Sequence, residues 1–456
     1  MKRTSYLFAA LALSAVLAWA CNKPATDPVN EDPVDPVDLV DLELSVPVTE
    51  NWVFTDKPTL TIHVENPNEV KVKAEATVRI STDKKQVLTT IDLSQDVPAK
   101  GSADITFTTQ DKLDPGFYKA ACFVNNKMAR QFVFGINPTE IVSAPDKQAD
   151  FDKFWDDAKN QLYTIKLKAE LTEIPKKSSD KCKVYMVEFP SVPDGLTGDP
   201  VTVRGYYLEP QDGKPHPVIL HFYGYDTIGN FVSCPGANNG DYAELYLSHR
   251  GQYINRAPAD KRGDGIERDF TNIYGDWFAF NFGNRDGYYY RGAFMDCVQA
   301  VRFMATRETS DMNNLFAEGS SQGGALTYAA AALSDYPFSA ISPCVAFLGD
   351  YPDYFQIVSW PGDTAKSSAK KIGMSDADMY AFLSYFDTKN LATRISCPVI
   401  ASVNLQDGTC PPHTNIAPYN NLASSETEVY FYPELQHVTP SNWPSKTNAF
   451  FKAHIK

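Results

Sequence analysis

Basic clusters, paired cysteines and metal-ligand groupings are all scarce in this chain. Lys and Arg number 42 against 56 Asp and Glu, a formal net charge of −14. No Lys/Arg cluster with interleaved aromatics occurs. Nucleic acids and anionic membranes are recognised through such patches, so the composition argues against both as partners. There are eight cysteines, none in CxxC spacing. With Cys21 set aside the rest are odd in number, so at least one thiol is free. They read as small buried apolar residues rather than a disulfide framework, with room for one bridge. No His/Asp/Glu grouping has metal-site spacing, so neither a metal nor another cofactor is expected. Beyond the first twenty residues no apolar stretch is long enough to cross a bilayer.

The first residues read as an export signal. Lys2 and Arg3 precede an apolar stretch over residues 6–16 that is too short for a membrane span. Ala18-Trp19-Ala20-Cys21 then looks like the cleavage site of a bacterial lipoprotein, with residues 1–20 as signal peptide and Cys21 as the acylated N-terminus. A plain secretory signal with a chance cysteine is the alternative. Residues 21–41, rich in Pro, Asp and Val, cannot bury a core and read as an extended tether. The expectation is an exported protein, periplasmic or at the cell surface, that meets the membrane only through its lipid.

Residues 42–137 have a β pattern. Thr59-Leu60-Thr61-Ile62-His63-Val64 alternates, as does Ala103-Asp104-Ile105-Thr106-Phe107, and turn clusters such as Asn66-Pro67-Asn68 and Asp114-Pro115-Gly116 separate the runs. Short strands at this spacing suggest a small immunoglobulin-like sandwich. It carries no catalytic constellation, so a spacer or accessory role is expected.

Residues 140–456 read differently. Asp150-Phe151-Asp152-Lys153-Phe154-Trp155 opens an amphipathic helix, and strands then alternate with helices. Residues 184–189 and 201–208 look like a leading antiparallel pair. Residues 217–222, 398–403 and 429–432 look like buried strands, 296–307 and 325–333 like helices, and 448–455 like a closing helix. The fold class is therefore α/β, with a mostly parallel central sheet covered on both faces.

Gly319-Ser320-Ser321-Gln322-Gly323-Gly324 follows the apolar lead Leu315-Phe316-Ala317 and precedes a small-residue helix. Gly-x-Ser-x-Gly in that context is the nucleophile elbow of α/β-hydrolases, with Ser321 exposed on a sharp turn. Gly319 and Gly323 stand where strand and helix nearly touch. Ser320 competes poorly, because Glu318 and Gln322 occupy its flanking positions. A serine needs a base, and in this fold the acid and the histidine follow it in the chain. His437 lies just beyond residues 429–432, on a loop at a strand's C-terminal end. His454 falls in the last helix, and His413 is placed at the mouth of the site. Asp407 follows residues 398–403 and can fix the tautomer of His437. Two backbone amides should receive the oxyanion, one from Gln322 and one from Tyr223-Gly224-Tyr225-Asp226.

Five motifs, in order, resemble carbohydrate esterase family seven, the acetyl xylan esterases and cephalosporin C deacetylases. They are Phe222-Tyr223-Gly224-Tyr225, Arg250-Gly251-Gln252, Tyr288-Tyr289-Tyr290-Arg291 with Asp296, the Gly-x-Ser-Gln-Gly-Gly around Ser321, and Asp407 with Cys410-Pro411-Pro412. The resemblance covers residues 150–456 and not the β module. It implies a metal-free serine esterase with Ser321, Asp407 and His437 as triad and Tyr225 with Gln322 as oxyanion donors. Arg250 and Gln252 are expected to hold loops rather than touch substrate. The substrate implied is an acetylated xylo-oligosaccharide or related sugar. A homo-oligomer is also implied as possible, although the added module could block it. Two positions depart from the pattern: Val438 follows His437 where Glu is usual, and Tyr223 replaces a His. Two rival functions stay open, a prolyl-oligopeptidase-type serine peptidase and a glycan-binding surface lipoprotein with a degenerate hydrolase domain.

Overall fold

The computed structural model describes residues 39–225, 231–254 and 273–456. The signal peptide, Cys21, most of the tether and Asp226 lie outside the described residues.

The first module contains β1 (Glu43–Ser45), β2 (Val53–Phe54), β3 (Thr59–Glu65), β4 (Val72–Thr82), β5 (Val87–Val97), β6 (Ser102–Thr108), β7 (Gly116–Val124) and β8 (Lys127–Ile136). They form two sheets, ordered β1-β3-β6 and β2-β8-β7-β4-β5. Alternation decides the packing. In β3, Leu60, Ile62 and Val64 are buried while the residues between them face outward, and β4 does the same with Ala74, Ala76, Val78 and Ile80. A period of two places one face of each sheet in the core.

The second region contains α1 (Phe151–Thr164), β9 (Glu170–Glu173), β10 (Cys182–Pro193), β11 (Pro200–Pro210), β12 (His216–Phe222), β13 (Phe231–Val232), β14 (Ala243–Ser248), β15 (Tyr253–Ile254), α2 (Tyr289–Ala305), β16 (Ser310–Ser320) and α3 (Gln322–Leu333). It continues with β17 (Ala340–Cys344), α4 (Tyr351–Ile357), α5 (Gly362–Lys371), α6 (Asp376–Leu383), α7 (Thr388–Ala392), β18 (Val399–Asn404), α8 (Pro412–Asn420), β19 (Thr427–Tyr432) and α9 (Trp443–Ala453). Nine strands make one sheet in the order β19-β18-β17-β16-β12-β14-β11-β10-β9. From β19 to β14 every neighbouring pair is parallel, and the β11, β10 and β9 end is antiparallel. This is an α/β-hydrolase sheet. β12 lies between β14 and β16, so the chain leaves it toward one edge and returns to the other. Ligands of open α/β sheets bind at the carboxyl ends of strands around such a reversal.

Two helices begin earlier than the sequence pattern suggests. α2 starts at Tyr289 rather than near Asp296, because its first turns are buried among other aromatics and need no polar face. α9 starts at Trp443, with Pro444 in its first turn, where a missing N–H costs nothing.

The β module is not a detached spacer. Val403 in β18, Leu405 just after it, and Ile416 on α8 belong to the same apolar core as Trp52, Phe132 and Phe134 of the module. Residues 42–456 form one compact unit. All seven described cysteines are free thiols, five of them buried.

Candidate active site

Gly319, next to last in β16, lies so close to α3 that a Cβ on it would stand 2.4 Å from the carbonyl oxygen of Gly323. A Cβ on Gly323 would lie 2.2 Å from that of Phe222. Any side chain at either place would push strand and helix apart. The residue between them, Ser321, is held at φ 60° and ψ −123°. That is a strained backbone for a residue with a side chain, and such strain persists only where surrounding structure over-determines it. Here the Ser321 amide donates to Cys344 O at 2.9 Å and its carbonyl accepts from Phe347 N at 3.0 Å.

Strand ends bring the other two groups to this turn. Nε2 of His437 is 2.9 Å from Ser321 Oγ, and Nδ1 is 2.7 Å from Asp407 Oδ2. Asp407 Oδ1 accepts from the amides of Thr409 and Cys410, each at 2.8 Å, and its side chain is fully enclosed. Those amides occupy Oδ1 and leave Oδ2 as the acceptor facing His437, so the imidazole carries its proton on Nδ1 and offers Nε2 to the serine. Ser320, the alternative serine, bonds to Thr439 Oγ1 at 2.8 Å instead. Cys410 is also a nucleophile by type, but burial raises its thiol well above the ordinary range and keeps it protonated.

The motif residues meet around the two amides expected to receive an oxyanion. Gln322 is the first residue of α3, where amides have no acceptor within the helix. Its side chain is locked on both sides: Oε1 accepts from Tyr290 OH at 2.9 Å, and Nε2 meets His249 Nε2 at 3.0 Å. Burial lowers His249 to about 4, so this ring is neutral. It accepts from Gln322 and donates through Nδ1 to Tyr289 OH at 2.9 Å, which donates onward to Arg250 O at 2.7 Å. The second expected amide is that of Tyr225. Its peptide partner Gly224 O accepts from Gln252 Nε2 at 3.3 Å, and Gly224 lies against Ser321. The Tyr225 ring is anchored elsewhere, its hydroxyl donating to Asp276 Oδ1 at 2.8 Å.

Arg250 and Gly251 act beneath this layer. Arg250 is buried and forked on Asp296, with Nη2 to Oδ1 at 2.7 Å and Nε to Oδ2 at 2.9 Å. Gly251 adopts φ 77°, a turn that favours glycine. The Arg-Gly-Gln segment thus ties the α2 helix to the peptide of Gly224 and Tyr225 rather than entering the site.

Several contributors had no motif to announce them. Asn404 Nδ2 donates to Gln436 O and Val438 O, both at 2.7 Å, clamping the carbonyls on either side of His437. That clamp holds the loop where Val438 replaces Glu, and Val438 itself is half-exposed. Gln406 Nε2 donates to Pro433 O at 2.6 Å and to Val133 O of β8 at 3.0 Å, and Gln406 Oε1 accepts from Val133 N at 2.9 Å. The only available signal was that Asn404 and Gln406 stand two residues apart where the strand runs into Asp407.

His413 is not at the mouth. It is buried under the β module, with Nδ1 3.2 Å from Asp83 and Nε2 3.3 and 3.1 Å from Asp350 and Asp353. Asp350, Asp353 and His413 are close enough to resemble a metal-binding group, a clustering the sequence spacing hid. Lys84 pairs with Asp353 at 2.6 Å and Lys389 with Asp350 at 3.0 Å, so cations already balance these carboxylates. His454 caps α9 and bonds to Glu426 at 2.8 Å, away from the triad residues.

Residues 139–455 match the family described as acetyl xylan esterase (AXE1). An acetyl esterase of Xylanibacter ruminicola, Axe7A, is 24% identical over 361 residues, 78% of each chain. Among solved structures, an acetyl xylan esterase from Paenibacillus sp. R4 is 28% identical with a TM-score of 0.58, covering 70% of this chain and 98% of its own. Acetyl xylan esterase 1 from Thermoanaerobacterium sp. JW/SL YS485 shares the fold at 24% identity and a TM-score of 0.55, with the same coverage. With the family match spanning most of its length, this chain belongs to the acetyl xylan esterase family and is a carboxylic ester hydrolase.

Proposed function

We propose that the protein removes acetyl groups from acetylated xylo-oligosaccharides through an acyl-enzyme on Ser321. The observation that carries this reading is the unbroken line from Asp407 through His437 to Ser321 Oγ, with contacts of 2.7 and 2.9 Å. Ser321 Oγ attacks the acetyl carbonyl carbon while Nε2 of His437 takes its proton. Negative charge collects on the former carbonyl oxygen, where the amides of Gln322 and Tyr225 receive it. Collapse breaks the ester bond, and the sugar oxygen leaves with the proton from His437. Water then attacks the acyl-enzyme, gives a proton to His437 and frees acetate, and the proton returns to Ser321. Asp407 stays ionised and holds the imidazole throughout.

The choice of a short acyl group is supported by the rings of Tyr225, Phe347 and Trp360. Phe347 and Trp360 stack at 5.2 Å and Tyr225 sets its ring edgewise to both. Phe347 also donates its amide to Ser321 O, and an aromatic wall on this segment suits a methyl better than a long chain. Removal of polymer-bound acetyl groups also accords with export and a lipid on Cys21, which fatty-acid labelling of wild type and Cys21→Ala would test.

The decisive experiment is acetate release from acetylated xylo-oligosaccharides and from 4-nitrophenyl acetate, wild type beside Ser321→Ala. The variant should lose activity by about 10⁴-fold or more while remaining folded. A folded Ser321→Ala enzyme with full activity would sink the proposal. Cleavage of a dipeptide amide without acetate release would move the chain to the peptidase reading.

A further inference from the structure

A cleft of about 260 Å³ lies between the β module and the hydrolase sheet, walled on one side by Asp407 and Gly408. Its hydrolase wall also includes Ile357 and Val358. These lead within two residues to Trp360, which packs edgewise on Tyr225. The cleft therefore adjoins the loop that carries the triad acid, and its far wall comes from the module. That wall presents Lys85 from the turn after β4, Lys119 from β7 and Gln131 from β8.

The charges in this lining are not balanced. Asp83 is committed to His413 at 3.2 Å and Asp407 to His437 at 2.7 Å. Neighbouring Lys84 is taken by Asp353. Lys85 and Lys119 have no carboxylate partner among the described residues, although the chain as a whole carries a charge of −14. Lys85, exposed, and Lys119, half-buried, border one recess, with an amide beside them and the edge of an apolar floor at Phe117 and Phe132, an arrangement that suits a polar chain bringing its own anion.

We infer that this cleft seats the sugar chain on the alcohol side of the scissile ester, and that Lys85 and Lys119 favour a chain bearing a carboxylate, as a uronic acid branch does. The inference rests on the esterase reading above. The β module is then a specificity element: it selects which acetylated chains are presented to Ser321 and takes no part in the bond-breaking step.

The test uses the full chain and a Lys85→Gln/Lys119→Gln double variant. Calorimetry reads binding of deacetylated xylo-oligosaccharides with and without a uronic acid branch. Wild type should bind the branched chain at least about tenfold more tightly, since charge-assisted hydrogen bonds are worth more than neutral ones. The double variant should bind both alike, and 4-nitrophenyl acetate, whose leaving group is too small to reach the module, should be hydrolysed equally by the two proteins. Equal binding of both chains by wild type, or a preference that survives the double substitution, overturns the inference. Failure of both proteins on 4-nitrophenyl acetate would instead remove the esterase reading, and the binding comparison would still decide whether the cleft is a site.

Discussion

His437 and His413 lie near each other in sequence, both beyond the end of β18, and both are held by carboxylates, yet they are built for opposite tasks. His437 faces one carboxylate and one hydroxyl, so one ring nitrogen donates and the other accepts. His413 faces Asp83 on one nitrogen and Asp350 with Asp353 on the other, so both nitrogens donate. Burial opposes its charge, but the three aspartates hold its pKa well above the ordinary histidine value. The first ring can move a proton. The second is a fixed cation that binds module to hydrolase. What sits on the second nitrogen decides the role, and no count of histidines or spacing between them contains that information.

The sharpest way to break the comparison is Asp407→Asn. The amides of Thr409 and Cys410 would still find an oxygen, leaving the new NH₂ group facing His437 Nδ1. The ring would then have to carry its proton on Nε2, where the serine needs an acceptor. Turnover of 4-nitrophenyl acetate should fall by about 10⁴-fold with little change in melting temperature. A drop of only a few-fold would mean that Asp407 does not control the tautomer.

His413→Gln should do the reverse. It leaves Asp83, Asp350 and Asp353 without the cation they share, and breaking a buried ionic network costs about 3–5 kcal/mol. Unfolding in urea should show that loss, while kcat on a small ester stays within about twofold of wild type. A large fall in kcat with unchanged stability would return His413 to the mouth of the site.

The same group gives a pH signature. A histidine whose folded pKa is raised contributes its stability fully below the unfolded value of about 6.5. That contribution is lost as pH climbs through the folded value. Asp350 and Asp353 are shifted the other way: burial opposes their ionisation, but His413 and the lysines hold both below the usual carboxylate range. Their contribution is present above about pH 4 and lost in acid. The stability gap between wild type and His413→Gln should therefore be widest between about pH 4 and 6.5 and narrow toward alkaline pH. A gap that widens with alkalinity would mean that the ring is neutral in the folded protein.

How much of this was legible beforehand follows from how far apart the partners are in the chain. The elbow is local: Gly319, Ser321 and Gly323 lie within five residues, and steric need fixes their types. The acid and the histidine were readable as loops beyond strands, because the fold sets their chain order. Arg250, Gln252, Tyr289 and Tyr290 were readable only as motif matches, and the structure supplies the reason they travel together: they orient Gln322 and the Gly224 peptide. Asp83 with His413 and Val133 with Gln406 are pairings across hundreds of residues. Each half looks like an ordinary polar or strand residue, so the module read as a spacer.

Gln406 joins the β module to the histidine loop, and it carries the smallest predicted effect. Its amide pairs with both backbone groups of Val133 in the module, its second N–H bond goes to Pro433 O, and its backbone N–H reaches Leu435 O on the histidine loop. It immediately precedes Asp407. Gln406→Ala should therefore lower kcat by about fivefold, roughly the worth of one net hydrogen bond, with KM for 4-nitrophenyl acetate unchanged. The control is Arg130→Ala. Arg130 also crosses from the module to this loop, through Glu434 at 2.9 Å, but it touches no neighbour of Asp407. It should cost stability at most and leave kcat within about twofold, as exposed ion pairs are weak. Equal losses of kcat in both variants would show that module contact in general supports turnover; a loss confined to Gln406 would place the coupling in the single residue that holds the acid and histidine loops against β8.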